Sequence, residues 1–197
     1  ANGILSIAPY YNKPTQEGLY QHYKAIANSV EIPFMMYNVP GRTGVDLDAN
    51  TTIRLFDDIK NIYGVKEATG SLERAICLLS QRKDFVVVSG DDAIDFPMLA
   101  NGAKGIISVT ANLLPNLKSQ LVNSVFKGDL EKARQINEDL YSLNSVLFCE
   151  SNPIPIKAAM YLAGLLDTLE YRLPLTAPSM ETMKKLEKTL EKYEVIK

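Results

Sequence analysis

The sequence predicts an α/β fold built from repeated strand and helix units whose strands run parallel. Three observations carry this. Short apolar runs begin near residues 3, 34, 62, 85 and 105, leaving units of about 20 to 31 residues, each long enough for one strand, one helix and two short loops. Between the runs, apolar residues recur at the period of a helix with one buried face. The runs themselves are near-continuous rather than alternating, as in strands covered on both faces. Right-handed crossovers between such strands give either an open doubly wound sheet or a closed barrel, and the period does not separate the two.

The first strand spans Gly3 to Ala8 and reads as covered on both faces; Pro9 ends it ahead of the polar loop Tyr10-Tyr11-Asn12-Lys13-Pro14. Thr15 is the N-cap of a helix with Glu17 in its first turn and a buried stripe of Leu19, Tyr20, Tyr23, Ile26 and Ala27. After Pro33, Phe34 to Tyr37 is a short buried strand, followed by the turn-rich loop Asn38-Val39-Pro40-Gly41-Arg42-Thr43-Gly44. Asp48 caps the next helix, which turns Ile53, Leu55 and Phe56 inward. Ile62 to Lys66 is the third strand, and the helix from Ser71 to Gln81 directs Leu72, Ala75, Ile76 and Leu79 to the core. Phe85 to Val88 is the fourth strand. Ser89-Gly90-Asp91-Asp92 turns into a helix through Ala100 that Pro97 weakens, closed by Asn101-Gly102. Gly105 to Val109 is the fifth strand; beyond Pro115 only helices follow, at about 116–126, 130–148, 155–165 and 179–193.

Composition bounds the function. With 197 residues, 46% hydrophobic and 22% charged, the chain buries an ordinary globular core. A net charge of -2 and a pI near 5.5 supply no field for nucleic acid or anionic lipid, and no apolar run reaches membrane-spanning length. Ala1 to Pro9 carries no charged leader, which with two cysteines points to a reducing cytoplasm. Cys77 and Cys149 have no metal-ligand spacing and read as core fillers; His22 reads as a helix-surface residue. No Gly-x-Gly-x-x-Gly follows a strand, and Asp91 and Asp92 would repel a phosphate near Gly90, Gly102 and Gly105, so neither a cofactor nor a metal is expected.

Lys66 ends an apolar strand and precedes the small residues Ala68, Thr69 and Gly70. In a parallel α/β fold that end of the strand faces the active site, and apolar walls would lower the amine's pKa toward nucleophilic use. The same topology brings Tyr10, Tyr11, Tyr37, Arg42 and the Ser89-Gly90 turn to one rim. Singly, each has an ordinary reading as a packed aromatic or a solvated cation. Together, an amine, phenols that pass protons and a guanidinium that holds a carboxylate in two hydrogen bonds make a set for Schiff-base chemistry on a keto acid.

Four stretches, 9–20 (Pro-Tyr-Tyr-Asn-Lys-Pro-Thr-Gln-Glu-Gly-Leu-Tyr), 37–44 (Tyr-Asn-Val-Pro-Gly-Arg-Thr-Gly), 64–70 (Gly-Val-Lys-Glu-Ala-Thr-Gly) and 105–112 (Gly-Ile-Ile-Ser-Val-Thr-Ala-Asn), resemble in order and spacing the dihydrodipicolinate synthase branch of the pyruvate-dependent class I lyases. The resemblance implies a TIM (β/α)8 barrel, of which residues 1–128 would supply the C-terminal five βα units, strands 4 to 8, followed by a helical domain over 129–197. It implies pyruvate and aspartate semialdehyde as substrates, a homo-oligomer, and a lyase step in lysine and diaminopimelate biosynthesis. Carried over by residue, it implies that Lys66 forms the Schiff base and Tyr37 is the proton donor and acceptor. Tyr11 would extend the relay across a subunit interface, and Arg42 would bind the aldehyde's carboxylate. Gly90 and Ile107 would line the pyruvate pocket through their carbonyls, and Tyr10 would contact an inhibitor. The family's first three strands, with a threonine pair that binds the pyruvate carboxylate, have no counterpart here, so this chain alone is expected to be inactive. Two alternatives stand beside it: another pyruvate-dependent aldolase such as N-acetylneuraminate lyase, whose corresponding loop lacks an arginine at the place of Arg42, or a non-catalytic barrel remnant serving as an interaction subunit.

Overall fold

Five short strands stand side by side in chain order, all parallel, in the computed structural model of the protein, which describes residues 1–195. They are β1 (Ile4–Ile7), β2 (Phe34–Asn38), β3 (Ile62–Glu67), β4 (Val86–Ser89) and β5 (Gly105–Ile106), and the crossovers carry α1 (Gln16–Asn28), α2 (Pro40–Thr43), α3 (Ala49–Asp58), α4 (Leu72–Gln81) and α5 (Asp95–Ala100). The chain is thus of the α/β class. It divides into two compact units, Ala1–Ile107, which holds the whole sheet, and a second beginning at Ser108.

The helix starts follow from local chemistry. Thr15, Asp48 and Ser71 each accept a hydrogen bond from the backbone N–H three residues on, at Gly18, Thr51 and Arg74. Pro97 falls within the first turn of α5, where a missing N–H forfeits no helical bond, so it does not break the helix. The loop after β2, read from sequence as turns alone, winds into the single helical turn α2 and leaves it through Gly44 at φ 63°.

Strand register sorts the sheet's residues into two rows. Ser6, Met36, Val65 and Val87 align on one face; Met36, Val65 and Val87 are buried in a cluster with Leu19 and Tyr23 of α1, Leu55 of α3 and Ala75 and Leu78 of α4. The other row carries Ile7, Tyr37, Lys66 and Val88, and none of these belongs to that cluster. A bulge makes the sorting work. Phe34 pairs with Ile62 but Met35 pairs with Gly64, so Tyr63 is an extra residue that lets Ile62 join Phe34 in the core while Lys66 aligns with Tyr37 on the opposite face.

Several expectations are corrected. The first strand is not covered on both faces: Leu5 and Ile7 are 46% and 39% exposed, because the cluster packs only on the other side. On α4 the buried centre is Ala75 and Leu78, with Leu72 and Leu79 at its margins, and Ile76 points outward; the helix is rotated relative to the predicted stripe. Strand β5 is two residues long, not five, though Ile107 still donates its N–H to Ser89 O at 2.8 Å. Cys77 and Cys149 are both exposed rather than core fillers; each sits on or beside a helix face that its apolar neighbours do not cover. His22 is exposed, as predicted.

The second unit is helical: α6 (Pro115–Phe126), α7 (Leu130–Val146), α8 (Ile154–Leu162) and α9 (Met180–Glu191), preceded by a 3-10 turn at Thr110–Asn112. Leu143, Leu147, Ile156, Leu186 and Leu190 form its core, and Thr110 donates to Asn144 Oδ1 at 2.8 Å inside it. Helix α6, assigned from sequence to 1–128, lies in this unit and packs along α7; of the helical domain expected at 129–197, residues 196 and 197 lie outside those described.

Candidate active site

Tyr37 and Lys66 are register partners on β2 and β3, which places their side chains next to one another on the row outside the helix-packed core. The Lys66 Nζ stands 4.2 Å from the centroid of the Tyr37 ring, a position in which the ring's π face attracts an ammonium. Both side chains are partly buried. Burial pushes the Lys66 amine below its ordinary 10.5; the Arg42 charge pushes it the same way, and the buried carboxylate of Asp92 opposes. Burial raises the Tyr37 phenol above 10.0, with Arg42 pulling it back. Arg42 sits on α2, exposed, and its field reaches both groups.

Gly90 follows β4 and donates its N–H to Glu67 O at 2.8 Å. A side-chain carbon here would come within 2.9 Å of Ala68 Cβ and closer still to the Lys66 stem. The absence of a Cβ is thus what lets the lysine lie flat across the end of β4, a role distinct from the carbonyl contact the sequence suggested.

Other expected site residues are not gathered into this pair. Tyr11 is 95% exposed and Tyr10 59%, both in the loop after β1, where Tyr10 O accepts a hydrogen bond from Lys13 N. Ile107 is 41% exposed at the end of β5. In a single chain, therefore, Lys66, Tyr37, Gly90 and the field of Arg42 converge, whereas Tyr10 and Tyr11 point outward.

Sequence reading missed a polar network on the far side of the same strands. Asn38, directly after Tyr37, is fully buried and donates to Asp46 Oδ1 at 2.7 Å while accepting from Leu47 N at 3.1 Å. Glu67, directly after Lys66, is 1% exposed, accepts from Thr69 N at 2.8 Å and lies 3.7 Å from Arg74 Nε. Asp92 was missed as a neighbour of Lys66. The only signal in the sequence is the acid pair immediately after Gly90, whose charge repels a phosphate and equally attracts an amine.

The sequence profile of the Dihydrodipicolinate synthetase family matches residues 1–193. This chain belongs to that family. A 4-hydroxy-tetrahydrodipicolinate synthase of Aliarcobacter butzleri is 79% identical over 197 residues, covering 100% of this chain and 67% of the relative. The crystal structure of dihydrodipicolinate synthase from Aquifex aeolicus superposes with a TM-score of 0.96 at 43% identity, over 99% of this chain and 67% of that one. The chloride-inhibited enzyme from Acinetobacter baumannii complexed with pyruvate gives 0.95 at 46% identity, over 100% and 67%. The chain spans about two thirds of the length of each of these dihydrodipicolinate synthetase relatives. Among the described residues no helix is long and apolar enough to cross a membrane, and no group of three or more His, Cys, Asp or Glu could hold a metal.

Proposed function

We propose that the protein condenses pyruvate with aspartate 4-semialdehyde to 4-hydroxy-tetrahydrodipicolinate, a lyase step of lysine and diaminopimelate biosynthesis, through a Schiff base on Lys66. The observation that carries this is the Lys66 amine, lowered in pKa by burial, against the Tyr37 ring in a chain whose relatives bear this enzyme's name. Neutral Lys66 adds to the ketone carbon of pyruvate, and water leaves to give an iminium. Tyr37 passes protons at this stage. The iminium draws electrons from the pyruvate methyl, a proton leaves, and the resulting enamine carbon attacks the aldehyde carbon, whose oxygen takes up a proton as a hydroxyl. The amino group of the semialdehyde then attacks the imine carbon, closing the ring and expelling the lysine amine.

Arg42 holds the carboxylate of the semialdehyde, and the carbonyls of Gly90 and Ile107 line the pyruvate pocket. Exposure of Tyr11 and Tyr10 fits a homo-oligomer, dimer or tetramer, in which Tyr11 extends the proton relay into a neighbouring subunit and Tyr10 contacts an inhibitor at the interface. The five parallel strands are read as consecutive members, strands 4 to 8, of a (β/α)8 barrel whose last helix is α6, with α7 to α9 as the helical domain that follows. A cytoplasmic location accords with two free cysteines and substrates of central metabolism. Borohydride reduction in the presence of pyruvate tests the assignment: peptide mass analysis should find the reduced pyruvate adduct on Lys66, and an unmodified Lys66 overturns it.

A further inference from the structure

Arg74 of α4 touches neither Tyr37 nor Lys66, yet its guanidinium reaches β3 at Glu67 and the Asp46-Leu47 segment that follows Arg42, and through that segment it is linked to Asn38 of β2. One terminal nitrogen donates to Leu47 O, the other lies 3.3 Å and 3.5 Å from the Asp46 carboxylate oxygens, and Nε lies 3.7 Å from Glu67 Oε2. Asp46 and Leu47 in turn are held by the Asn38 side chain. The result is a closed circuit: Lys66 and Glu67 on β3, Arg74, the Asp46-Leu47 segment, then Asn38 and Tyr37 on β2. Strand to strand it is closed again by Ala68 N donating to Asn38 O at 3.0 Å. Arg42 hangs from this circuit, four residues before Asp46, in a loop stiffened by Thr43, whose hydroxyl donates to Val45 O at 2.8 Å.

We infer that Arg74, braced by Glu67, is a positioning residue that fixes the Arg42 loop relative to the Tyr37 and Lys66 pair and thereby sets affinity for the carboxylate-bearing aldehyde without touching it, an inference that rests on the Schiff-base reading above. Geometry favours Arg74 for this task over any lysine. Its side chain is only 13% exposed, and a planar fork donates to a carbonyl and a carboxylate at once while setting its charge, through Nε, 3.7 Å from a second, buried carboxylate without a hydrogen bond to it, a span that a single ammonium does not cover. The Glu67 side chain is nearly inaccessible, and its Oε2 is buried without a hydrogen bond, so the nearby guanidinium is what balances its charge. Displacing that guanidinium frees the loop at its C-terminal foot while leaving β2 and β3 paired.

Arg74→Met and Arg74→Lys in the intact protein test this. Arg74→Met should raise KM for aspartate semialdehyde by about tenfold or more while the rate of pyruvate trapping on Lys66 stays within about twofold, with Arg74→Lys between it and the unsubstituted protein. Added to Arg42→Ala, Arg74→Met should weaken aldehyde use no further, since the displaced group is already gone. Hydrogen exchange should accelerate at the amides of 41–46 and not at those of β3. Equal losses in trapping and aldehyde use, multiplying effects in the double variant, or unchanged loop exchange would each overturn the inference. Should Arg74→Met fail to fold, Asp46→Asn, at a half-exposed side chain, should raise the same KM by a smaller factor, and no rise there overturns it as well. If the unsubstituted protein traps no pyruvate, the Schiff-base reading falls instead, and loop exchange still decides whether Arg74 holds the loop.

Discussion

A carbon added at Gly90 would stand 2.7 Å from Lys66 Cε, closer than a side-chain carbon approaches another atom in folded proteins, and 3.0 Å from its Cγ, at the tight edge of such contacts. The amine's stem therefore crosses a space that only glycine leaves clear. Gly90→Ala should displace the flexible lysine from Tyr37 and, because Ala68 Cβ at 2.9 Å is fixed to the backbone, shift the Gly90 turn slightly away from Ala68 without parting the strands. The expected outcome is pyruvate trapping slowed by about tenfold or more with a thermal midpoint lowered by only a few degrees.

Gly64 gives the opposite result. A Cβ there would meet the backbone oxygen of Val86 at 2.2 Å, and β3 would have to part from β4. Gly64→Ala should cost about 3 kcal/mol or more, beyond ordinary overpacking because the obstacle is main chain, read as a lowered midpoint in urea.

The pH dependence of imine formation should respond to two neighbours in opposite directions. Lys66 attacks only when neutral, so trapping rises as pH rises through the folded pKa, which lies below 10.5. Asp92 favours the ammonium, and Asp92→Asn should move this limb to lower pH. Arg42 disfavours the ammonium, and Arg42→Ala should move it to higher pH. Pyruvate trapping rates measured across pH for both variants check the signs.

Tyr37→Phe keeps the ring over which the Lys66 amine sits and removes only the hydroxyl. Turnover should fall by about 10²- to 10⁴-fold, the range for a lost proton-transfer group, while the equilibrium amount of trapped pyruvate falls far less. Single-turnover and trapping measurements separate the two.

Burial raises the Glu67 carboxyl above its ordinary 4.5. Between 4.5 and that higher value the folded protein binds more protons than the unfolded chain, so stability falls as pH rises through this window. Glu67→Gln removes the titration while keeping an oxygen for Thr69 N. Urea unfolding at several pH values should show a flatter dependence in the variant above pH 4.5.

Much of this was legible in the chain. Apolar runs bounded by proline and glycine locate the strands, and Thr15 and Asp48 cap helices where their side chains could reach a free N–H. Lys66 and Tyr37 could be singled out because each falls near the end of such a run. What could not be read was anything fixed by distance in sequence. The turn of α4 is set by what α3, α5 and the sheet leave room for, so Ile76 and Leu78 exchange roles against a plain i, i+4 count. The contacts of Arg74 with Asp46 and Leu47 bridge 28 and 27 residues, and no local pattern announces them. Exposure of both cysteines likewise depends on which helix faces find partners.

Ile62 and Lys66 are an even number of positions apart, so an unbroken β3 would send both to the same side, and either a greasy anchor would meet the substrates or the nucleophile would be walled in with Phe34. The one supernumerary residue, Tyr63, second of the six, changes the phase and lets a single short segment serve as both structural dowel and chemical tool. A deletion at that point would leave composition almost untouched and still set the strand's two duties against each other.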